Sequence, residues 1–162
     1  MTRPFYFAYG ANMSGDVLAR RMRRDSAAFQ RRRAVLADHR LVFDKVSSTD
    51  PAVGYANVLP AAGHRVEGIL NEFDDRGLAQ LDAIELVPHH YRRMQMMVRD
   101  ESNGRMVSAH IYIANAPWVR QGLRPLRSYL EIMLAGGDLL SPDYVTALRS
   151  VPCRDDTAPQ NH

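Results

Sequence analysis

From Phe5 to Tyr9 the chain is aromatic and apolar, and at Gly10-Ala11-Asn12 it turns small and polar. A run of that length and character predicts a buried strand that must end in a turn. Ser14 follows as an N-cap for a short helix to about Met22, with Val17, Leu18 and Met22 forming its inward stripe. Strand and helix bracket Gly10–Asn12, whose backbone N–H groups would point outward among small side chains. That arrangement is either an ordinary tight turn or a loop able to hold an anion.

Beyond Asp25 the apolar positions come in short groups: Ala27–Phe29, Ala34–Leu36 and Leu41–Phe43, then Tyr55–Leu59 and Val66–Phe73 after a turn-rich loop at Ser47–Gly54. Each group predicts a short strand, and Gly68 within the last predicts a bulge or a close backbone approach. Asp74 or Asp75 caps a helix in which Leu78, Leu81 and Glu85 share one face. Either Glu85 points inward with the leucines, where burial would raise its pKa, or the helix ends near Asp82 and Glu85 is solvated. Strands at Met94–Val98 and Met106–Ile113 flank a turn at Glu101–Gly104. Leu126, Tyr129, Leu130, Met133 and Leu134 repeat at helical spacing up to Gly136-Gly137, a period that by itself makes Tyr129 a core residue. Ser141-Pro142-Asp143 starts a last helix with Tyr144, Leu148 and Val151 inward.

Many short strands and few helices predict a mixed α/β (α+β) fold, with a curled, barrel-like sheet of about six or seven strands and flanking helices. The 162 residues suit a single domain over 1–153, followed by a polar, disordered tail over 154–162.

Composition narrows the function. The formal charge is +3, from 21 basic and 18 acidic residues, and Lys45 is the only lysine. The arginine clusters Arg20–Arg24 and Arg31–Arg33 stand without any nucleic-acid-binding motif and read as solvated faces, so no nucleic-acid partner is expected. The single cysteine, Cys153, excludes an intramolecular disulfide and has no activating neighbour. No stretch reaches membrane-span length and no apolar leader opens the chain, so the expectation is a cytoplasmic protein with no membrane partner. His89 and His90, read as neighbours on a strand, face opposite sides and predict no metal site.

Two stretches carry a family resemblance. FYFAYGANM resembles the YFAYGSNM-type signature of the γ-glutamylcyclotransferase family, with Ala11 where serine is frequent, and LDAIELVPHHYRRMQMMV resembles its second signature, LDxxEGVxxGxYxxxxV. Leu86 and His90 depart from that pattern, standing where it has glycines, so a glycine-only backbone path after Glu85 would have to differ here.

The resemblance runs from Phe5 to about Val151. It implies release of 5-oxoproline from a small-molecule γ-glutamyl compound without cofactor or metal. It implies Glu85 as catalytic acid/base, and Tyr6, Phe7, Ala8, Tyr9, Gly10, Ala11, Asn12, Tyr91 and Tyr129 as substrate-binding residues. A binding module without turnover, or a cyclotransferase specialised for γ-glutamyl amines, are the alternatives. Either a monomer or a homodimer is compatible with the sequence.

Overall fold

In the computed structural model, which describes residues 3–156, the first apolar run becomes strand β1 (Phe5–Ala8). It lies between β3 (Gly54–Glu72), to which it is antiparallel with Phe7 opposite Leu70, and β5 (Arg105–Ala114), to which it is parallel. With β2 (Arg32–Val46) and β4 (Tyr91–Asp100) these close a barrel in the order β1-β3-β2-β4-β5.

The strand count is therefore five rather than six or seven. The expected strands at Ala34–Leu36 and Leu41–Phe43 are one continuous β2, and those at Tyr55–Leu59 and Val66–Phe73 are one β3. Polar residues between the apolar groups mark where this long hairpin leaves the core, not where it stops. A ladder needs only backbone partners, and pairing resumes across the register shift between Ala37 and His39. The strand expected at Ala27–Phe29 is instead a 3-10 turn over Ser26–Ala28, begun by Asp25 accepting the Ala27 N–H at 3.0 Å. Gly68 is a close approach: a Cβ there would stand 2.5 Å from the Ala8 carbonyl oxygen.

Four helices pack round the barrel: α1 (Gly15–Met22), α2 (Asp75–Ile84), α3 (Arg127–Ala135) and α4 (Pro142–Arg149). Phe7, Ile69, Leu70, Phe73, Leu81, Ile111 and Met133 are fully buried between them. The end of α3 presses on the chain just after the first turn, where a Cβ on Gly136 would meet the Ser14 nitrogen at 2.2 Å. Arg31 ties the same junction, donating to the carbonyls of Met13 (2.8 Å) and Gly136 (2.9 Å) and pairing with Asp138. Arg32 pairs with Asp100 and Arg33 with Glu101, so the second arginine cluster is part of the ion-pairing of the fold.

The polar end expected to begin at Arg154 starts with ordered residues. Arg154 hydrogen-bonds Pro125 and Arg127 through its backbone, and Asp155 and Asp156 accept from Arg127 and Ser128. The rest of that expectation, 157–162, lies outside the described residues. Among the described residues, no helix is long and apolar enough to cross a membrane.

One buried carboxylate anchors α4. Glu67, 2% exposed on β3, accepts the Ser141 N–H at 2.8 Å and its hydroxyl at 2.6 Å, and the Ser141 oxygen in turn accepts the Tyr144 N–H. Glu67→Ala removes a buried acceptor and strands both donors, so it should lower stability by roughly 2–4 kcal/mol in denaturant unfolding. Ser141→Ala, which removes the hydroxyl and keeps the N–H, should cost about half as much.

Candidate active site

A cavity of about 670 Å³ opens between the barrel and helices α1–α3. Six of the seven tyrosines line or reach it: Tyr6, Tyr9, Tyr55, Tyr91, Tyr112 and Tyr129. Phe7, Gly10, Ala11, Asn12 and Glu85 line it as well. Ala8 is the one expected substrate-binding residue that does not; its short side chain is buried in the core.

Glu85 arrives there through the end of α2. The helix runs to Ile84 and Glu85 is its C-cap, with its N–H on the Leu81 carbonyl at 2.8 Å. Three residues back, Asp82 accepts from the Tyr112 hydroxyl (2.8 Å) and pairs with Arg93 (3.1 Å), fastening the last turn to β5 and β4. Immediately after, the Val87 N–H returns to the Asp82 carbonyl (2.9 Å) and the Leu86 N–H to Ala83 (3.3 Å). That pair of bonds is a Schellman motif, which places its C′ residue in the left-handed region. Here C′ is Leu86, with φ +53°. The path that glycine favours is thus kept by a leucine, contrary to the expectation that it would differ. His90, at the other departing position, is not among the positive-φ residues.

The carboxylate of Glu85 is held by Asn12, whose Nδ2 donates to Glu85 Oε1 (3.2 Å) and to the Tyr6 hydroxyl (3.0 Å). Arg21 donates to Asn12 Oδ1 at 2.9 Å, and since arginine only donates, this fixes which way the amide faces. Burial pushes the Glu85 pKa up, with Arg21, Lys45 and the Asn12 hydrogen bond partly offsetting it. Burial likewise raises Tyr6, Tyr9, Tyr91, Tyr112 and Tyr129, the last to about 12, so these five stay protonated at neutral pH.

Tyr129, which helical spacing alone assigned to the core, has its hydroxyl at the first turn. The Ala56 N–H donates to it at 3.3 Å, and a Cβ on Gly10 would stand 2.9 Å from it. Tyr91 donates to the Ala56 carbonyl at 3.3 Å. Glycine at position 10 is therefore a steric requirement of the Tyr129 hydroxyl.

Sequence reasoning missed the cations. Arg20 and Arg21, assigned to a solvated face, line the cavity from α1, and Lys45 lines it from β2. Lys45 is 5% exposed and donates to His90 Nδ1 at 2.8 Å. His89 and His90 sit in the turn before β4 rather than on a strand, and the His90 ring stacks on Trp118 at 3.6 Å. The one available signal was Lys45 itself, a single lysine in an arginine-rich chain. Cys153 does not line the cavity, and the described residues contain no cluster of three or more His, Cys, Asp or Glu side chains suited to a metal.

Leu86 is 51% exposed, so its side chain gives little burial in return for a left-handed backbone. Leu86→Gly should relieve the strain and raise stability by about 0.5–1 kcal/mol in denaturant unfolding, the relief exceeding the extra freedom glycine adds to the unfolded chain.

The model of the family described as "Gamma-glutamyl cyclotransferase, AIG2-like" matches residues 6–131. Among solved structures, a "Gamma-glutamyl cyclotransferase" superposes with a TM-score of 0.84 at 23% identity, over 98% of this chain and 93% of that one. The uncharacterized protein loc79017 from Homo sapiens gives 0.85 at 22% identity, over 99% and 95%. A yeast gamma-glutamyl cyclotransferase specific to glutathione gives 0.61 at 12% identity, over 91% and 94%. No curated protein sequence matches the chain. At these identities the structural likeness establishes the fold, and the family model, spanning most of the chain and both signature stretches, places this protein in the gamma-glutamyl cyclotransferase, AIG2-like family.

Proposed function

We propose that the protein is a γ-glutamyl cyclotransferase, converting a γ-glutamyl amino acid or amine to 5-oxoproline and the free amine. The observation that carries this reading is the Glu85 carboxylate, set in the cavity with a raised pKa and held by Asn12.

The α-ammonium of a γ-glutamyl group cannot attack until it loses a proton, and Glu85 is the base that takes it. The freed amine nitrogen then attacks the δ-carbonyl carbon of the same glutamyl unit, forming the ring C–N bond and moving charge onto the carbonyl oxygen. Glu85 returns its proton to the leaving nitrogen as the old C–N bond breaks, and the ring nitrogen sheds its second proton, which the freed amine takes up as an ammonium, so atoms and charge balance with no cofactor. One carboxylate serves as base and then acid only if its pKa lies between that of an ordinary carboxylate and that of an amine, the direction in which burial moves Glu85.

The remaining roles follow from position. The Gly10-Ala11-Asn12 turn offers backbone N–H groups to the substrate's α-carboxylate or to the oxyanion. Tyr6, Tyr9 and Tyr129, all protonated, supply hydroxyls and apolar walls that hold the glutamyl chain folded, with Phe7 beneath them, and Tyr91 walls the part of the cavity where Lys45 lies over its ring. Holding that conformer is itself a large part of the acceleration, since ring closure is intramolecular.

Purified protein, without added metal, incubated with γ-glutamyl amino acids and γ-glutamyl amines should release 5-oxoproline, measured by mass spectrometry. Glu85→Gln should lose roughly a hundredfold or more. Full activity in that variant overturns the reading, and tight binding of 5-oxoproline without turnover replaces it with a binding module. The base must be ionised, so kcat/KM should fall as pH drops through a value above the ordinary glutamate pKa of 4.5. Stability should show the converse. A raised carboxylate pKa favours the fold below the unfolded value, and that advantage is lost as pH rises through the folded value. Glu85→Gln should therefore match wild type at low pH and melt higher than it at neutral pH.

A further inference from the structure

Lys45 is a buried cation without an anionic partner. Among the described residues it makes no salt bridge, and its ammonium sits over the rings of Trp118 (4.9 Å), Tyr91 (5.6 Å) and Tyr55 (5.7 Å). An ammonium has three donors, and the bond to His90 Nδ1 uses one. A charge so placed costs stability unless something pairs with it. Yet this one borders a cavity of about 670 Å³, room enough for a ligand to provide the pairing.

Its surroundings define what that ligand carries. The three aromatic faces and the neutral His90 acceptor already serve a cation, so the same cage cannot also receive a cationic group of the substrate. An anion facing the ammonium meets charge and unused donors together.

Position then selects which anion. Glu85 is flanked by cations from two different elements, Arg21 of α1 acting through Asn12, and Lys45 of β2. Glu85 must reach both the attacking and the departing nitrogen, so the two parts of the substrate diverge from it. The Gly10–Asn12 turn and Arg21 stand on the side assigned to the glutamyl unit, which leaves Lys45 to the departing part.

We infer that Lys45 seats the α-carboxylate of the leaving amino acid, making this a cyclotransferase for γ-glutamyl α-amino acids that discriminates against γ-glutamyl amines. The inference rests on the cyclotransferase reading above and adds to it the residue that selects the leaving group.

Three ligands test it: γ-glutamyl-alanine, γ-glutamyl-alaninamide, and γ-glutamyl-alanine with the glutamyl α-carboxyl converted to an amide. Wild type should prefer the first over the second by about 10- to 100-fold in kcat/KM, as expected for one charge-assisted contact. Lys45→Met should bring that ratio close to unity, mainly through KM, because the contact is equal in ground and transition state. Its thermal midpoint should equal or exceed that of wild type, since the buried cation is gone.

Calorimetry on Glu85→Gln, with and without Lys45→Met, reads the same selectivity as binding and needs no turnover. Lys45-dependent binding of γ-glutamyl-alanine with no 5-oxoproline from wild type upholds Lys45 as the seat of that carboxylate and overturns the reaction. Turnover with a ratio that Lys45→Met leaves unchanged, or a Lys45 dependence that follows the glutamyl α-carboxyl instead, overturns this inference alone. Absence of both binding and turnover overturns both.

Discussion

The side-chain amide of Asn12 joins three elements at once. Its oxygen takes Arg21 of α1, and its nitrogen serves Tyr6 of β1 and Glu85 at the end of α2. Because the guanidinium admits only one orientation of the amide, the donor side is committed to the carboxylate. Turning the amide over would set two donors against each other and leave Glu85 unbonded. The short turn that carries Asn12 is fixed independently, from below by Gly136 of α3 against Ser14 and from above by the Tyr129 hydroxyl at Gly10. Glu85 is thus positioned by contacts that begin in the N-terminal strand, far from it in sequence.

The electrostatics of the cavity follow from that placement. A carboxylate among protonated tyrosines is driven toward its neutral form, while Arg21 and Lys45 draw it back toward ionisation. Lys45 is subject to the same opposition with the signs reversed, its own pKa lowered by burial and raised by Glu85. Each charge makes the other tolerable without the direct ion pair that would silence both. An exposed glutamate would titrate too low to return a proton to an amine, and one paired directly with a cation lower still.

Much of the fold was legible because its elements are bounded locally. Ser14, Asp74 and Ser141 cap α1, α2 and α4 as their spacing implies, and Gly136 ends α3. The strand count was not legible, since the long β2–β3 hairpin continues by backbone pairing through polar residues that leave the core. In the site, Glu85 followed the apolar stripe of Leu78 and Leu81, and periodicity was right about its face. Tyr129 shows the limit of the same rule: a helix face turned toward a cavity has the period of one turned toward the core. Arg21 stood in a cluster that reads as a solvated face, and Lys45 stood out only as the single lysine. What makes Lys45 unusual is burial without a direct ion pair among the described residues, and that exists only once β2, the turn before β4 and the Trp118 segment are brought together.

Leu86 shows why a motif position can change its residue and keep its geometry. The two bonds that close α2 require a left-handed residue directly after Glu85, and they are made whether that residue is glycine or leucine. Glycine adopts the conformation freely, whereas leucine adopts it only because both bonds, the Asp82 clamp and the pairing of β4 hold the segment on either side. The leucine side chain borders the cavity but stays half exposed, so it is the backbone turn, not the side chain, that the site depends on. The strain at residue 86 and the burial of the residue 85 carboxylate therefore arise from one arrangement, a helix end turned sharply enough to put its capping side chain into the cavity.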